Sequence, residues 1–183
     1  MLREFVSDLR RVPPLQRSET EMARMFAMAT AGEAPTATLP HRPGAYTRTC
    51  AYADDRFEVL LLDWSAGAAS AIHDHGGQHC WFVVLEGRLR VDDYDRVDAG
   101  DVPGRALVRA RDRRTLGPGE LDLRSRPFDL HRVAADAERA VSLHVYARPL
   151  REFLIYDERT HRCAPGNRAY DRTLALFDGI ATR

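Results

Sequence analysis

The chain has 183 residues, 44% hydrophobic and 30% charged, and its 27 arginines, with no lysine, balance 27 acidic residues to a formal charge of zero. Without a block of like charge there is no electrostatic reason to expect a nucleic acid or an acidic membrane surface as partner. No run approaches the ~20 apolar residues of a membrane span, and Arg3, Glu4, Asp8, Arg10 and Arg11 break up the N-terminal stretch that a secretory signal would need, so a cytoplasmic location is expected.

In chain order, Leu2, Phe5, Val6 and Leu9 follow the spacing of one helix face, and Pro13-Pro14 stops that helix. Ser18 to Glu21 forms a capping box ahead of Met22, Met25, Phe26 and Ala29, which repeat the spacing before Gly32. Both stripes are those of packing residues. Residues 33–44 hold three prolines and a glycine and read as a connection. From there the pattern becomes β. Residues 46–51, 57–64, 80–85, 88–94, 107–110, 114–116, 128–133, 141–146 and 152–156 are short apolar or alternating runs, divided by turn signals such as Asp54-Asp55, Glu86-Gly87 and Gly117-Pro118-Gly119. Many short strands after a small helical preface predict a mainly β protein, a jelly-roll barrel with short N-terminal helices. One domain over 1–183 is expected, helical in 1–32 and barrel-forming in 45–160, while 170–180 reads equally as strand or short helix. Cys50, Cys80 and Cys163 are odd in number and widely spaced, which fits neither a disulfide framework nor a CxxC zinc clamp.

The chemistry concentrates in "HDHGGQHC", residues 73–80. On an extended segment His73 and His75 project to one side and can reach one ion, with Asp74 on the other. Gly67, five residues, His73-x-His75, an apolar strand and Gly87 resemble the first cupin motif, except that Cys80 stands where that motif has a glutamate. Gly67 would allow the turn into the strand and Gly87 the turn out of it. Two imidazoles hold a divalent ion poorly, so a third ligand is needed. His131 in "FDLHRV" and His144 in "SLHVYARP" both sit in apolar strand-like runs, and spacing leaves the choice open. His41 and His161 read as solvated loop residues, and the odd offset of His79 turns it away from the pair. Three neutral imidazoles would leave the ion's charge uncompensated and favour an anionic chelating substrate, a variation on the two-histidine, one-carboxylate triad of non-haem iron oxygenases. Zinc is compatible with the same ligands.

Further residues sharpen this. "YTR" at 46–48, Trp64, "HDHxxxHC" at 73–80, "LHRV" at 130–133 and "SLHVY" at 142–146 occur in the order of the cysteine dioxygenase family, a cupin branch that oxidises thiols with iron and dioxygen, and the chain resembles that family from Tyr46 to Tyr146. The resemblance implies His73, His75 and His131 as ligands of Fe(II), Arg48 and Tyr46 at the substrate carboxylate, and His144, Tyr146 and Cys80 as catalytic residues. It also implies a thioether between Cys80 and Tyr146, with Ser142 and Trp64 supporting the centre. Ser142, His144 and Tyr146 alternate along one strand, so hydroxyl, imidazole and phenol would form a hydrogen-bonded chain. Arg48 can grip a carboxylate through two parallel hydrogen bonds. Relatives acting on 3-mercaptopropionate carry glutamine at that place and usually lack the cysteine, so Arg48 with Cys80 points to L-cysteine. The expected partners are L-cysteine and dioxygen, with a monomeric chain. The alternatives are a dioxygenase for another small thiol, 3-mercaptopropionate or cysteamine, or a non-catalytic metal-binding cupin that holds a small ligand. The chain departs from the family at Ala147-Arg148-Pro149, where eukaryotic members have a serine and two prolines.

Overall fold

Among the described residues, 1–32, 36–124, 129–167 and 169–177, the computed structural model has two α-helices followed by twelve strands in two six-stranded sheets. Helix α1 (Leu2–Arg11) buries Leu2, Phe5, Val6 and Leu9 and gives way at Val12, whose extended backbone is the conformation that the following proline imposes. Helix α2 (Glu19–Thr30) starts where the Ser18 hydroxyl accepts a hydrogen bond from the Glu21 amide at 3.2 Å, and it buries Met22, Met25, Phe26 and Ala29. Phe5 and Phe26 stack at 5.6 Å between the helices. No described helix is long and apolar enough to cross a membrane.

The first sheet contains β1 (Tyr46–Ala53), β2 (Glu58–Trp64), β4 (Cys80–Glu86), β7 (Leu121–Arg124), β9 (Ala140–Tyr146) and β12 (Arg172–Thr173), in the order β12-β1-β2-β9-β4-β7. The second contains β3 (Ile72–His73), β5 (Leu89–Arg96), β6 (Val108–Leu116), β8 (Leu130–Ala135), β10 (Leu154–Asp157) and β11 (Arg162–Pro165), in the order β11-β10-β3-β8-β5-β6. From β2 to β5 the chain changes sheet at every connection, and it does so again from β6 to β10, which is the winding of a jelly roll. The helices cover the outer face of the first sheet through Tyr52, Val59, Leu61, Trp81, Val83, Leu143 and Val145. The inner face, with Leu60, Leu62, Phe82 and Val84, packs on Leu89, Val91, Val133 and Ala135 of the second sheet. Both faces of β2 are therefore buried, which is why it reads "EVLLLDW" without polar alternation.

Several elements differ from the sequence expectation. Residues 107–110 and 114–116, read as two strands, form the single strand β6, in which Arg111 is the extra residue of a bulge between the pairs Asp93–Asp112 and Tyr94–Ala110. Its charged stretch reads as a gap, yet β6 is an edge strand whose arginines pair with Asp92, Asp93 and Asp95 of β5 and need no apolar partner. Strands β3, β7, β11 and β12 are too short or too exposed to leave a periodic signal. The last two carry the sheets past residue 160, and β12 resolves the 170–180 ambiguity only for Arg172–Thr173. Phe128 and residues 178–180 lie outside the described residues.

Gly67 and Gly87 both take positive φ, +71° and +72°. A Cβ at Gly67 meets open space, whereas one at Gly87, between β4 and β5, would sit 2.2 Å from the Arg139 carbonyl oxygen and 2.8 Å from the Ala140 Cα. Gly67→Ala is expected to cost about 1–2 kcal/mol, and Gly87→Ala about 3 kcal/mol or more because overpacking adds to the left-handed backbone. Urea midpoints at unchanged slope measure the difference, and equal losses would contradict the close approach.

Candidate active site

His73 ends β3 and pairs in register with His131 of β8; His75 follows two residues later, and the ligating atoms of all three lie within 4.8 Å of one another. Asp74 points the other way and fixes the bend that keeps His75 beside His73. Its Oδ1 accepts from the amides of Gly76 at 3.0 Å and Leu154 at 3.1 Å, and its Oδ2 accepts from the Tyr156 hydroxyl at 2.7 Å.

Neighbouring oxygens settle two tautomers. His73 Nδ1 lies 3.0 Å from the Ala71 carbonyl oxygen, and His131 Nδ1 lies 3.3 Å from Asp122 Oδ2. A carbonyl or carboxylate oxygen only accepts, so each Nδ1 carries the proton and each Nε2 presents a lone pair. Burial holds all three imidazoles below the usual histidine range, His75 and His131 far below it, so they are neutral. His75 Nε2 and His131 Nε2 stand 3.2 Å apart in this dry setting. Neutral nitrogens converging at such a distance fit a divalent transition metal between them, iron and zinc included.

His144 is not part of that cluster. Trp64 Nε1 donates to Ser142 Oγ at 2.9 Å, so the serine proton is free to go to His144 Nε2, 2.8 Å away. Burial pushes His144 down to about 3, in keeping with an imidazole that accepts there. Its Nδ1 is buried without a hydrogen-bond partner among the described residues, and the ring is stacked on Phe82 at 4.6 Å. Of the chain expected through Ser142, His144 and Tyr146, the Ser142–His144 link is present and continues to Trp64, whereas Tyr146 meets His144 only ring to ring, nearly parallel at 16° and 6.4 Å between centroids.

Strands β4 and β9 pair Cys80 directly with Tyr146 in register. Burial pushes both the Cys80 thiol and the Tyr146 phenol up, so neither is ionised near neutral pH. On β1, Tyr46 stacks on Trp64 at 4.6 Å. Two residues on and facing the same way, the buried Arg48 has Nη2 3.8 Å from Glu58 Oε1, Nη1 3.5 Å from the Asn167 carbonyl oxygen, and its guanidinium 5.6 Å from the Tyr170 ring. Tyr46, Arg48, Trp64, Cys80, His144 and Tyr146 line, with His73 and His131, one cavity of about 230 Å³. That is smaller than the roughly 300–1,000 Å³ of pockets for drug-sized ligands and suits a substrate of a few heavy atoms.

Sequence reasoning missed Asp122, Glu58 and Tyr170. Glu58 carried a signal, an acidic residue heading a wholly apolar run; Asp122 and Tyr170 sit in segments too short to have a readable face. His41, read as a solvated loop residue, is exposed in a loop, and its Nδ1 lies 2.6 Å from Oδ1 of the buried Asp63. His79 is exposed and stacks on Trp81 at 5.4 Å, away from the cluster.

A family profile described as cysteine dioxygenase type I matches residues 37–159. A curated cysteine dioxygenase type 1 from Danio rerio is 32% identical over 107 residues, 57% of this chain and 52% of the relative. One from Rattus norvegicus is 31% identical over 118 residues, 63% of this chain and 57% of the relative. The match thus spans just over half the length of these relatives. Among solved structures, a cupin superfamily protein from Desulfitobacterium hafniense aligns with a TM-score of 0.46 at 13% identity, covering 62% of this chain and 87% of that one.

Proposed function

Because the chain belongs to the cysteine dioxygenase type I family, we propose that it is an iron-dependent thiol dioxygenase that converts L-cysteine and dioxygen to cysteine sulfinic acid, working as a single cupin domain and a monomer in the cytoplasm. The observation that carries this reading is the cluster of His73, His75 and His131, two of whose imidazoles, His73 and His131, line a small cavity that Arg48 also lines. His73, His75 and His131 would hold the metal. Fe(II), once bound there, would supply the Lewis acidity and the redox chemistry by which dioxygen adds to a thiol sulfur.

The chain's own residues select and orient the substrate. Arg48 offers its planar fork to a carboxylate, which fixes orientation as well as charge. Tyr46, stacked on Trp64, and the phenol of Tyr146 stand beside it as further donors. Leu62, Val133, Leu150 and Phe153 line the same cavity and keep water from it. His144 stays neutral behind Tyr146, anchored through Ser142 to Trp64. No separate reductant is called for, since the substrate sulfur supplies the electrons.

Anaerobic iron loading followed by oxygen uptake with L-cysteine, 3-mercaptopropionate and cysteamine tests the reading. Uptake with L-cysteine far above the other two is expected. Uptake with none would leave a ligand-binding cupin, and a preference for either other thiol would reassign the substrate.

A thioether between Cys80 and Tyr146 is part of the proposal, supported by their pairing in register across β4 and β9. Its formation is a two-electron oxidation in which the sulfur loses its hydrogen, a ring carbon loses another and a C–S bond forms, with dioxygen as acceptor. The protein after turnover is expected to show a faster-migrating band on a denaturing gel, lighter by two hydrogen atoms, with two alkylatable cysteines instead of three once unfolded. The band should be absent in Cys80→Ser, and its persistence there would rule out this pairing.

A further inference from the structure

We infer that Asp122 is a positioning residue for the metal centre, holding His131 in the tautomer and ring orientation that turn Nε2 toward His73 and His75; this deepens the metal-site reading above and rests on it. Asp122 is 1% exposed and, with Arg124, is one of the two buried residues of β7, whose leucines are only partly covered, and a carboxylate so placed must be fully engaged. Its Oδ1 receives Arg114 Nη2 at 2.6 Å and Arg124 Nε at 3.0 Å, while its Oδ2 receives Arg124 Nε at 2.9 Å and His131 Nδ1 at 3.3 Å.

Arg124 is itself buried, and its Nη2 lies 2.5 Å from Asp93 Oδ1. Asp93 on β5 is the register partner of His131 on β8. The ion pairs therefore tie β7 of the first sheet to β5 and β6 of the second, the His131 hydrogen bond ties it to β8, and together they leave Asp122 one rotamer to adopt. A carboxylate immobilised in this way is a fixed acceptor for Nδ1–H, and fixing that proton fixes the lone pair on the opposite nitrogen. Without such an acceptor a neutral imidazole is free to put its proton on Nε2, where it blocks ligation, or to turn in its slot.

An asparagine at this position cannot substitute. Arg114 and Arg124 compete for its one oxygen, so the amide NH2 is left facing His131 Nδ1 and favours the wrong tautomer. The test is Co(II) binding under anaerobic conditions, read by chelator competition and by the ligand-field absorption band, for the unmodified protein, Asp122→Asn and Arg114→Gln. Asp122→Asn should bind about 10–100-fold more weakly with an altered band. Arg114→Gln, which removes a half-exposed guanidinium from the same carboxylate and leaves the His131 contact, should stay within about threefold.

An unchanged affinity and band in Asp122→Asn overturns the inference. Equal losses in both variants overturn it too, since the ion pairs would then act only on stability. If the unmodified protein takes up no Co(II), the metal reading fails and this inference with it. Should Asp122→Asn not fold, nitrogen-15 NMR of the metal-free unmodified protein decides: His131 protonated at Nδ1 supports the role, and protonation at Nε2 refutes it.

Discussion

Replacing His131 by alanine is expected to abolish iron retention and to lower turnover on the order of 10³-fold or more, the scale on which losing one member of a group that acts as a unit registers. His73 and His75 would remain, but two imidazoles leave a divalent ion exposed to competing water and easily lost. The fold should survive, because Asp122 keeps both of its arginine partners and β8 keeps its pairing with β5. His144→Ala is the matched comparison, a buried imidazole removed from the same cavity without touching the three-histidine cluster. It should retain iron. Metal content per chain after anaerobic loading and desalting separates the two, and full iron content in His131→Ala would sink the ligand assignment.

The second large effect is expected at Arg48. Arg48→Gln should lower kcat/KM for L-cysteine about 10²-fold, the few kcal/mol lost when one partner of a desolvated charge pair is truncated, and erase the preference for L-cysteine over 3-mercaptopropionate. An unchanged ratio of the two kcat/KM values would end the carboxylate role. Stability is a confounding effect here, because Glu58, only 1% exposed, stands 3.8 Å from the guanidinium and would be left without it. Arg48→Gln combined with Glu58→Gln removes both charges. The double variant should regain much of the stability lost in the single one and none of the activity toward L-cysteine, so recognition and folding come apart in one comparison.

The helices were legible because an amphipathic stripe and a capping box are local signals, and α1 and α2 need only their own residues to declare a buried face. The longer strands were legible for a similar reason, since β2, β4 and β9 are buried enough to be mostly apolar. What stayed hidden depends on neighbours. Strand β6 looks like a surface loop until Asp92, Asp93 and Asp95 are seen across from its arginines, and β3 consists of two residues that become a strand only between β8 and β10. At the site, His73 and His75 announce themselves by spacing, whereas His131 lies 56 residues beyond His75 and meets it only through the pairing of β3 with β8. The family's motifs pointed to His131; they carried nothing about Asp122, whose place beside that ring depends on how two sheets face each other.

That facing has a consequence of its own. The three imidazoles belong to β3, the bend after it and β8, in the second sheet, whereas Tyr46, Arg48, Trp64, Cys80, Ser142, His144 and Tyr146 all stand on the first. On the proposed reading, ligation and recognition would be carried on separate plates, with the cavity as the gap between them. Changes on one plate can alter which thiol fits while the other keeps its grip on the ion, so a new substrate preference can arise without rebuilding the centre. Conversely, a substitution in the packing that spaces the plates, at Leu89 or Val91 for example, would shift substrate relative to metal although it lies outside the cavity lining.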